Sequence, residues 1–241
     1  MRAKPYLKEI ILNRGKLSDQ TSYPFNIAAL KLLDSLSFHP DVTFIIGENG
    51  SGKSTLIEAI ALSLGFGFEG GTKNVHYNTA ERASPLHEYL KLVKSFKKPK
   101  DYYFLRAETF YKVASYADET DYVKGYGGSL HEKSHGESFM AMLMNKLKGN
   151  GLYIFDEPEA ALSPARQLAA LARIHQLAIN EDSQFIIATH SPILLAYPHA
   201  TIYQLDENGI SKVDYQQTEQ FIVTKEFLSN HKNMLKQLLG I

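Results

Sequence analysis

Apolar residues along this chain gather into short runs that polar residues scarcely interrupt. The clearest runs are residues 41–46, 152–155 and 184–188. Strands with this pattern are buried on both faces, which is typical of a parallel sheet covered by helices. Residues 56–64 and 165–179 between these runs have the composition and spacing of helices. The pattern therefore predicts an α/β fold with a mostly parallel central sheet covered by helices.

The segments around these runs predict further elements. Residues 7–12 and 101–107 predict strands, whereas residues 25–36 fit either a second strand or a short helix. Residues 84–96 begin with a Ser-Pro pair, the capping pattern of a helix start, and are predicted to be helical. We expect an antiparallel β portion near the N-terminus, outside the buried parallel set.

The C-terminal part predicts a hairpin followed by a helix. Residues 201–205 and 210–213 flank an Asp-Glu-Asn-Gly turn, which is a strong hairpin signal. Residues 225–239 carry apolar side chains at helical spacing, and this stripe faces either the core or a partner.

Length and apolar content bound the domain organisation. The chain has 241 residues, of which 44% are apolar, and can bury one sizeable core. We expect a single domain over residues 1–241. Its helical part would lie at about 80–147, and its C-terminal hairpin and helix at about 201–241.

Composition excludes several classes of function. The 26 basic and 26 acidic residues cancel, so the overall charge does not require nucleic acid, a lipid surface or an acidic substrate. The absence of cysteine excludes disulfides, thiolate zinc sites and a thiol nucleophile. Neither a signal peptide nor a membrane-spanning run is recognisable. The sequence predicts a cytoplasmic protein without membrane insertion.

The segment between the first buried run and its helix is the most informative. It fits G-x-x-x-x-G-K-[ST], a loop whose backbone N–H groups surround the phosphates of a nucleotide. Lys53 would place an ammonium on the β- and γ-phosphates, and the Ser54 hydroxyl would ligate Mg²⁺. The alternative, a plain glycine-rich turn, leaves the match at all four fixed positions unexplained. The predicted binding residues are Gly47, Glu48, Asn49, Gly50, Ser51, Gly52, Lys53, Ser54 and Thr55.

Two other buried runs end in residues suited to hydrolysis. Asp156 and Glu157 follow residues 152–155, and His190 follows residues 184–188. In an open parallel sheet, the carboxyl ends of the strands form the ligand crevice. Asp156 would hold Mg²⁺ while Glu157 accepts a proton from the attacking water. His190 would position that water and contact the γ-phosphate, and Lys53 completes the predicted catalytic set. The structural alternatives are solvated acids at a strand end and a structural histidine.

A second anion site is predicted before another helix. Ser134 and Gly136 lie at the start of a predicted helix that begins close to Glu137 and runs to residue 147. A hydroxyl and a glycine at a helix N-terminus favour an anion. Because the phosphate loop already serves the nucleotide, one protomer has a surplus anion site, which a site shared by two molecules would explain.

Together these motifs resemble the ATP-binding-cassette (ABC) ATPases over about residues 7–205. Ser134, Gly136 and Glu137 occupy positions of the Leu-Ser-Gly-Gly-Gln signature of that family, with Glu137 in place of glutamine. The resemblance implies a homodimer that sandwiches two ATP molecules. In it, these three residues of each copy would reach the nucleotide held by the loop of the other copy, and hydrolysis would open the dimer.

The variants of these motifs narrow the resemblance. Asp-Glu-Pro-Glu at 156–159 and Thr-His-Ser-Pro at 189–192 are similar to the RecF, SMC and overcoming-lysogenization group, above all to its small stand-alone ATPases. The glutamine loop of the family has no direct counterpart. Glu108, after a predicted strand, is the substitute metal ligand, with a surface acid as the alternative. Tyr23 is the candidate for stacking on adenine.

The resemblance leaves three functions open. The first is a soluble ATP hydrolase, a dimeric switch or motor subunit in DNA maintenance or defence, which acts through a separate effector such as a nuclease. The second is the nucleotide-binding subunit of an ABC transporter, and the third is an adaptor with negligible turnover. DNA contact is predicted on a basic run that is otherwise a solvated face: Lys91, Lys94, Lys97, Lys98 and Lys100.

Overall fold

The structure is a computed structural model and describes residues 4–17, 19, 21–73, 84–119 and 125–240. Its strands are β1 (Leu7–Leu12), β2 (Ser35–Ser37), β3 (Val42–Gly47), β4 (Leu90–Lys94), β5 (Asp101–Arg106), β6 (Gly151–Asp156), β7 (Gln184–Ala188), β8 (Ala200–Asp206) and β9 (Gly209–Lys212). Its α-helices are α1 (Ala28–Lys31), α2 (Lys53–Ser63), α3 (Phe110–Glu119), α4 (His135–Ala141), α5 (Pro164–His175), α6 (Pro192–Leu195) and α7 (Glu219–Leu239). Parts of the predicted helical region at about 80–147 lie outside the described residues.

Six strands form the central sheet in the order β5-β6-β7-β3-β8-β9. The first five run parallel, and β9 is an outer strand that pairs antiparallel with β8. The mostly parallel sheet and the predicted hairpin are both confirmed. The carboxyl ends of parallel strands lie on the same side of a sheet, so the phosphate loop after β3 and the polar residues after β6 and β7 lie together. We call this side, formed by the carboxyl ends of the strands, the sheet edge.

Alternate side chains of the strands enter two apolar layers on opposite faces of the sheet. Phe44 of β3 belongs to the layer that contains Phe139 of α4 and Ile174 of α5. Ile45, the next residue, belongs to the layer that contains Ile57 of α2. Both faces of the strands are therefore covered, which explains why their sequences do not alternate between apolar and polar residues.

A three-stranded antiparallel sheet, in the order β2-β1-β4, packs on the α2 side of the molecule. The helix predicted over residues 84–96 is wrong. Ser84 does cap a helical turn, but that turn is a 3₁₀ helix that ends at Tyr89, and the chain continues as β4. Residues Leu90–Lys94 pair with β1, and this long-range pairing overrides the local helix signal. Residues 25–36 form the short helix α1 and then lead into β2.

The helix α7 buries none of its side chains. Leu228 and Leu238 are 69% and 73% exposed. The core alternative for the apolar stripe is therefore wrong, and a partner-facing stripe stays a prediction.

Candidate functional site

The phosphate loop joins β3 to α2 in a conformation that its glycines permit. Gly52, directly before α2, has φ of 99°, a left-handed value that residues with a Cβ rarely adopt. A Cβ on Gly47 would lie 2.5 Å from the carbonyl oxygen of Leu205 on β8. The Ser51 N–H donates to the carbonyl of Glu48 at 3.2 Å. The loop is thus tightly folded, with the N-terminus of an 11-residue helix directly behind it.

Lys53, the first residue of α2, points back into this loop. Its ammonium donates hydrogen bonds to the carbonyl oxygens of Gly47 and Glu48, each at 2.8 Å. Burial lowers the pKa of Lys53, while the nearby carboxylates of Glu157 and Asp156 oppose that shift. Its partners are neutral carbonyls, so the charge of the ammonium is available to an anion seated in the loop.

Ser54 and Asp156 lie within hydrogen-bond distance of each other. The Ser54 hydroxyl donates to Oδ1 of Asp156, the last residue of β6, at 3.1 Å. Burial raises the pKa of Asp156 to about 6, and the Arg106 guanidinium and the Ser54 hydroxyl oppose this rise. The two residues predicted to hold Mg²⁺ therefore meet across the sheet edge, although they are 102 residues apart.

Glu157 is held in an unusual backbone conformation. Its φ and ψ are 52° and 53°, in the left-handed region that costs free energy for residues other than glycine. Its N–H donates to the carbonyl of Ala188 at the end of β7, at 3.0 Å. This geometry turns the chain sharply into the 3₁₀ turn Pro158–Ala161 and leaves the Glu157 side chain 43% exposed at the sheet edge.

His190 lies opposite Glu157, on the next strand end. Nε2 of His190 is 3.7 Å from Oε1 of Glu157, beyond hydrogen-bond distance, and has no hydrogen-bond partner among the described residues. The His190 N–H donates to Oε1 of Glu159 at 2.5 Å, which fixes the backbone after β7. The imidazole thus keeps a free nitrogen beside the carboxylate that was predicted to act as the base.

Ser134, Gly136 and Glu137 form a separate cluster at the start of α4. Ser134 and Glu137 make a reciprocal capping box, in which the Ser134 hydroxyl accepts the Glu137 N–H at 3.4 Å and the Glu137 carboxylate accepts the Ser134 N–H at 2.9 Å. The Ser134 hydroxyl also donates to that carboxylate at 2.7 Å. Arg166 of α5 contacts both Glu137, at 3.3 Å, and Ser134. Gly136 is buried, and a Cβ there would lie 2.8 Å from the carbonyl oxygen of Ala161. Among the residues that the structure describes, these three make no hydrogen bond to the phosphate loop.

Glu108 and Tyr23 lie at the margins of the site. The Glu108 carboxylate is 80% exposed and 3.6 Å from the guanidinium of Arg106, and its charge helps to raise the pKa of Asp156. The Tyr23 hydroxyl is 3.1 Å from that of Thr55, and its ring is exposed. Glu108 as a metal ligand and Tyr23 as a base-stacking residue stay predictions.

Sequence reasoning missed two parts of the site. Arg106, the last residue of β5, is paired in register with Asp156 and binds the buried Glu58 at 2.9 Å. A cavity of about 590 Å³ also opens beside the phosphate loop, walled by the β8–β9 turn and the start of α7. Arg106 ends an apolar strand, as Asp156 does, and this position in the sequence could have indicated that it belongs to the site.

The donor set suits Mg²⁺ bound together with a nucleotide. Within the described ranges, no group of three or more His, Cys, Asp or Glu residues could hold a metal ion. Mg²⁺ commonly binds through one or two protein oxygens, with phosphate oxygens and water completing an octahedron. The Ser54 hydroxyl and the Asp156 carboxylate fit that requirement. In the same part of the chain, no helix has the length and apolar character needed to cross a membrane.

Comparison with known proteins gives a family match and several structural likenesses. A family model described as an AAA domain matches residues 25–238. No curated protein matches the sequence significantly. The chain is similar to the SMC head domain from Thermotoga maritima, at 15% identity and a TM-score of 0.47, over 86% of this chain and 98% of that one. It is also similar to cbiO1 from Clostridium perfringens, part of the ABC transporter complex cbiONQ, at 18% identity and a TM-score of 0.46, over 87% and 91%.

The family match covers the site except for Tyr23 at its margin. Residues 25–238 include the phosphate loop, the carboxylates after β6, His190 and nearly all of α7. The chain therefore belongs to the AAA domain family, which agrees with the P-loop ATPase predicted from its sequence.

Proposed function

We propose that this protein binds and hydrolyses Mg-ATP as an ATP-sandwiched homodimer in the cytoplasm. One observation carries the proposal: the Ser54 hydroxyl and the Asp156 carboxylate meet at 3.1 Å, beside the ammonium of Lys53 and the Glu157 and His190 side chains. A nucleotide, its metal and its attacking water need these groups at one place. The dimer would act as a switch or motor subunit that passes its rearrangement to a separate effector protein, such as a nuclease.

We assign to each residue of the site a role that its position supports. Lys53 exchanges its carbonyl partners for the β- and γ-phosphate oxygens, while the loop N–H groups hold the same anion. Mg²⁺, when bound by Ser54 and Asp156, neutralises phosphate charge. Glu157 lies at the sheet edge and accepts the proton of the attacking water. Nε2 of His190, which lies 3.7 Å from Oε1 of Glu157, orients that water.

The second copy would supply Ser134, Gly136 and Glu137. These residues lie at the N-terminus of α4 and, in the part of the chain that the structure describes, make no hydrogen bond to the loop of their own protomer. This supports a second molecule as the source of a ligand for them. Ser134→Arg places a bulky cation at this turn. We expect the variant to bind ATP as a monomer but to lose ATP-induced dimerisation and hydrolysis. Full activity of this variant would contradict the shared site.

Phosphate release by the purified chain tests the proposal directly. Steady release with Mg-ATP is expected, with loss of the signal when EDTA removes the metal. Glu157→Gln should bring release to background, while Glu226→Gln on α7 should leave it unchanged. ATP binding with no release above background in the unmodified protein would instead favour the adaptor function. Integral membrane subunits captured with the protein from native cells would favour the transporter function.

DNA is a second partner in the proposal, and β4 carries the observation that favours it. Five lysines within ten residues lie on this edge strand and the turn after it, not on a helix as predicted: Lys91, Lys94, Lys97, Lys98 and Lys100. All five are exposed and, among the described residues, none forms an ion pair. Phe96, in the middle of the run, is 74% exposed. Unpaired cations beside an exposed ring are suited to a nucleic-acid backbone and an unstacked base.

Salt-titrated binding tests this partner. Each lost phosphate contact reduces the slope of log K against log salt by roughly 0.9 on duplex DNA and 0.7 on a single strand. We expect Lys97→Gln with Lys98→Gln to reduce the slope by about two such contacts. The control, Lys232→Gln with Lys236→Gln on α7, should leave it unchanged. Equal slopes for the two variants would remove DNA from the proposal.

A further inference from the structure

Arg106 is a buried cation among three carboxylates at the metal side of the site. Its guanidinium binds Glu58 at 2.9 Å and Glu108 at 3.6 Å. In the β5–β6 register it stands opposite Asp156. The side chains of Arg106 and Glu58 are only 13% and 8% exposed, whereas that of Glu108 is 80% exposed. Arg106 thus lies between a buried acid, an exposed acid and the acid proposed to bind Mg²⁺.

The buried acid connects Arg106 to the phosphate-loop helix. Glu58 lies one turn after Ser54 on α2, so the two side chains share a helix face. The second oxygen of Glu58 accepts the N–H of Ser84 at 3.1 Å, which leaves Glu58 fully engaged. The pair therefore fixes the helix that carries Ser54 against the strand next to Asp156.

The Arg106 guanidinium is held in place, but its hydrogen-bonding capacity is not fully used. It stacks over the ring of Phe68, with Cζ 4.7 Å from the ring centroid. Its Nε is buried and has no hydrogen-bond partner among the described residues. A planar cation clamped by a ring and one buried acid keeps donor capacity toward the remaining carboxylates.

We propose that Arg106 is a positioning residue that serves as the counter-cation of the Asp156 and Glu108 carboxylates whenever the site lacks its metal. Without it, these acids and Glu58 would repel one another at the edge of the sheet. The loose contact with Glu108 allows that acid to leave Arg106 when a metal takes over the neutralisation. The proposal rests on the metal role assigned to Asp156 under the proposed function.

A purely structural role for Arg106 gives a different expectation. In that case Arg106 would serve Glu58 alone, and its loss would destabilise the protein by leaving a buried carboxylate unpaired. Added Mg²⁺ would not restore that stability. If Arg106 serves the metal-binding acids, Mg²⁺ replaces the lost charge and restores stability in part.

Thermal unfolding without nucleotide separates the two roles. The melting temperature is measured with Mg²⁺ and with NaCl of equal ionic strength. For Arg106→Gln we expect a Mg²⁺-induced rise that exceeds the rise of the unmodified protein by roughly 2–4 °C, the scale of a modest stability change in a chain of this size. Arg106→Lys keeps the charge and should respond like the unmodified protein.

A double variant keeps the test decisive if Arg106→Gln alone folds poorly. Arg106→Gln with Glu58→Gln removes the unpaired buried acid but still leaves Asp156 and Glu108 without a cation. Its response to Mg²⁺ should stay enlarged. A response equal to that of the unmodified protein would overturn the proposal, because Arg106 would then serve Glu58 alone.

A matched ion pair elsewhere provides the control. Arg173 binds Glu181 at 3.0 Å, and its side chain is 11% exposed, close to the value for Arg106. Arg173→Gln should lower the melting temperature without enlarging the response to Mg²⁺. An equally enlarged response in this control would also overturn the proposal. Phosphate release by the unmodified protein is measured separately, so failure of the proposed function can be recognised independently.

Discussion

The sheet edge and the turn Ser134–Glu137 at the start of α4 are both candidate anion sites. They differ in how many of their polar groups already have a hydrogen-bond partner. At the edge, the Ser51 hydroxyl and Nε2 of His190 are buried without a hydrogen-bond partner among the described residues. At the turn, Ser134 and Glu137 satisfy each other in a capping box, and Arg166 contacts both. Buried polar groups without partners are rare in folded proteins and point to a ligand or water.

The difference bears on which proposed site needs a second copy. The edge has polar groups without partners around a loop that already holds a cation, which supports the proposal that it binds a nucleotide within one protomer. At the turn, Ser134 and Glu137 already have hydrogen-bond or ion-pair partners in their own chain. A ligand role for the turn therefore depends on a second copy, whereas the role of the edge does not.

Substitution of Lys53, the cation in the phosphate loop, should have the largest effect on ATP binding. Lys53→Ala removes the ammonium that donates hydrogen bonds inside the loop. Charge-assisted hydrogen bonds contribute about 1.5–3 kcal/mol each. We expect ATP affinity to fall at least about 100-fold, which calorimetry with Mg-ATP will measure. Lys31→Ala on α1 is the control and should bind normally. Unchanged affinity in the Lys53 variant would mean that the edge is not the nucleotide site.

Removing the proposed base should separate binding from turnover. Glu157→Gln keeps the shape of the side chain but cannot take a proton, so hydrolysis should slow by roughly 10²–10⁴-fold. ATP binding should remain, and light scattering should show an ATP-dependent dimer that persists. If this variant hydrolysed ATP at the normal rate, the base would have to be another residue of the edge.

Removing the charge of Asp156 should stabilise the protein without metal. Its pKa in the folded state is about 6, against an ordinary value of 3.8. The folded protein then binds more protons than the unfolded chain between these values, so stability falls as pH rises from about 4 to about 6. Two units correspond to about 3 kcal/mol. Asp156→Asn should gain up to this amount in urea unfolding at pH 7, and little at pH 4. A stability that depends on pH as steeply as before would contradict this origin of the shift.

The parts of the molecule that the sequence predicted well depend on local patterns. The phosphate loop, β3, β6 and β7 are contiguous runs with distinct signals, and parallel pairing then brings their ends together. The hairpin at the end of β8 likewise follows from a four-residue turn. The assigned roles of the site residues stay predictions, because position alone does not show what a side chain does.

The parts that the sequence did not predict depend on distant contacts. Strand β4 exists because it pairs with β1, which lies about 80 residues earlier, and the local signal favoured a helix. The ion pair of Arg106 with Glu58 joins residues 48 apart. The cavity beside the loop is walled by the β8–β9 turn and α7. The left-handed backbone of Glu157 has no signal in its residue type, because glutamate seldom adopts it.

Two substitutions at Ser134 separate the structural from the shared-site role of the turn. Ser134→Ala removes the cap and should cost about 1 kcal/mol of unfolding free energy. In a Glu137→Gln background, which prevents repulsion between two carboxylates at this cap, Ser134→Asp keeps a good cap. Its stability should therefore stay within about 0.5 kcal/mol of that of the Glu137→Gln protein, and Ser134→Ala is made in the same background. The negative charge of the aspartate would, however, repel a phosphate presented by a second copy.

The two roles therefore predict opposite rankings in two measurements. In urea unfolding, the alanine variant should be the less stable one. In ATP-induced dimerisation, followed by light scattering, the aspartate variant should be the more defective one, because like charges repel whether or not the helix is capped. If dimerisation followed stability, with aspartate dimerising normally and alanine poorly, the turn would act only as a helix cap. The second copy would then have to contact the nucleotide through other residues.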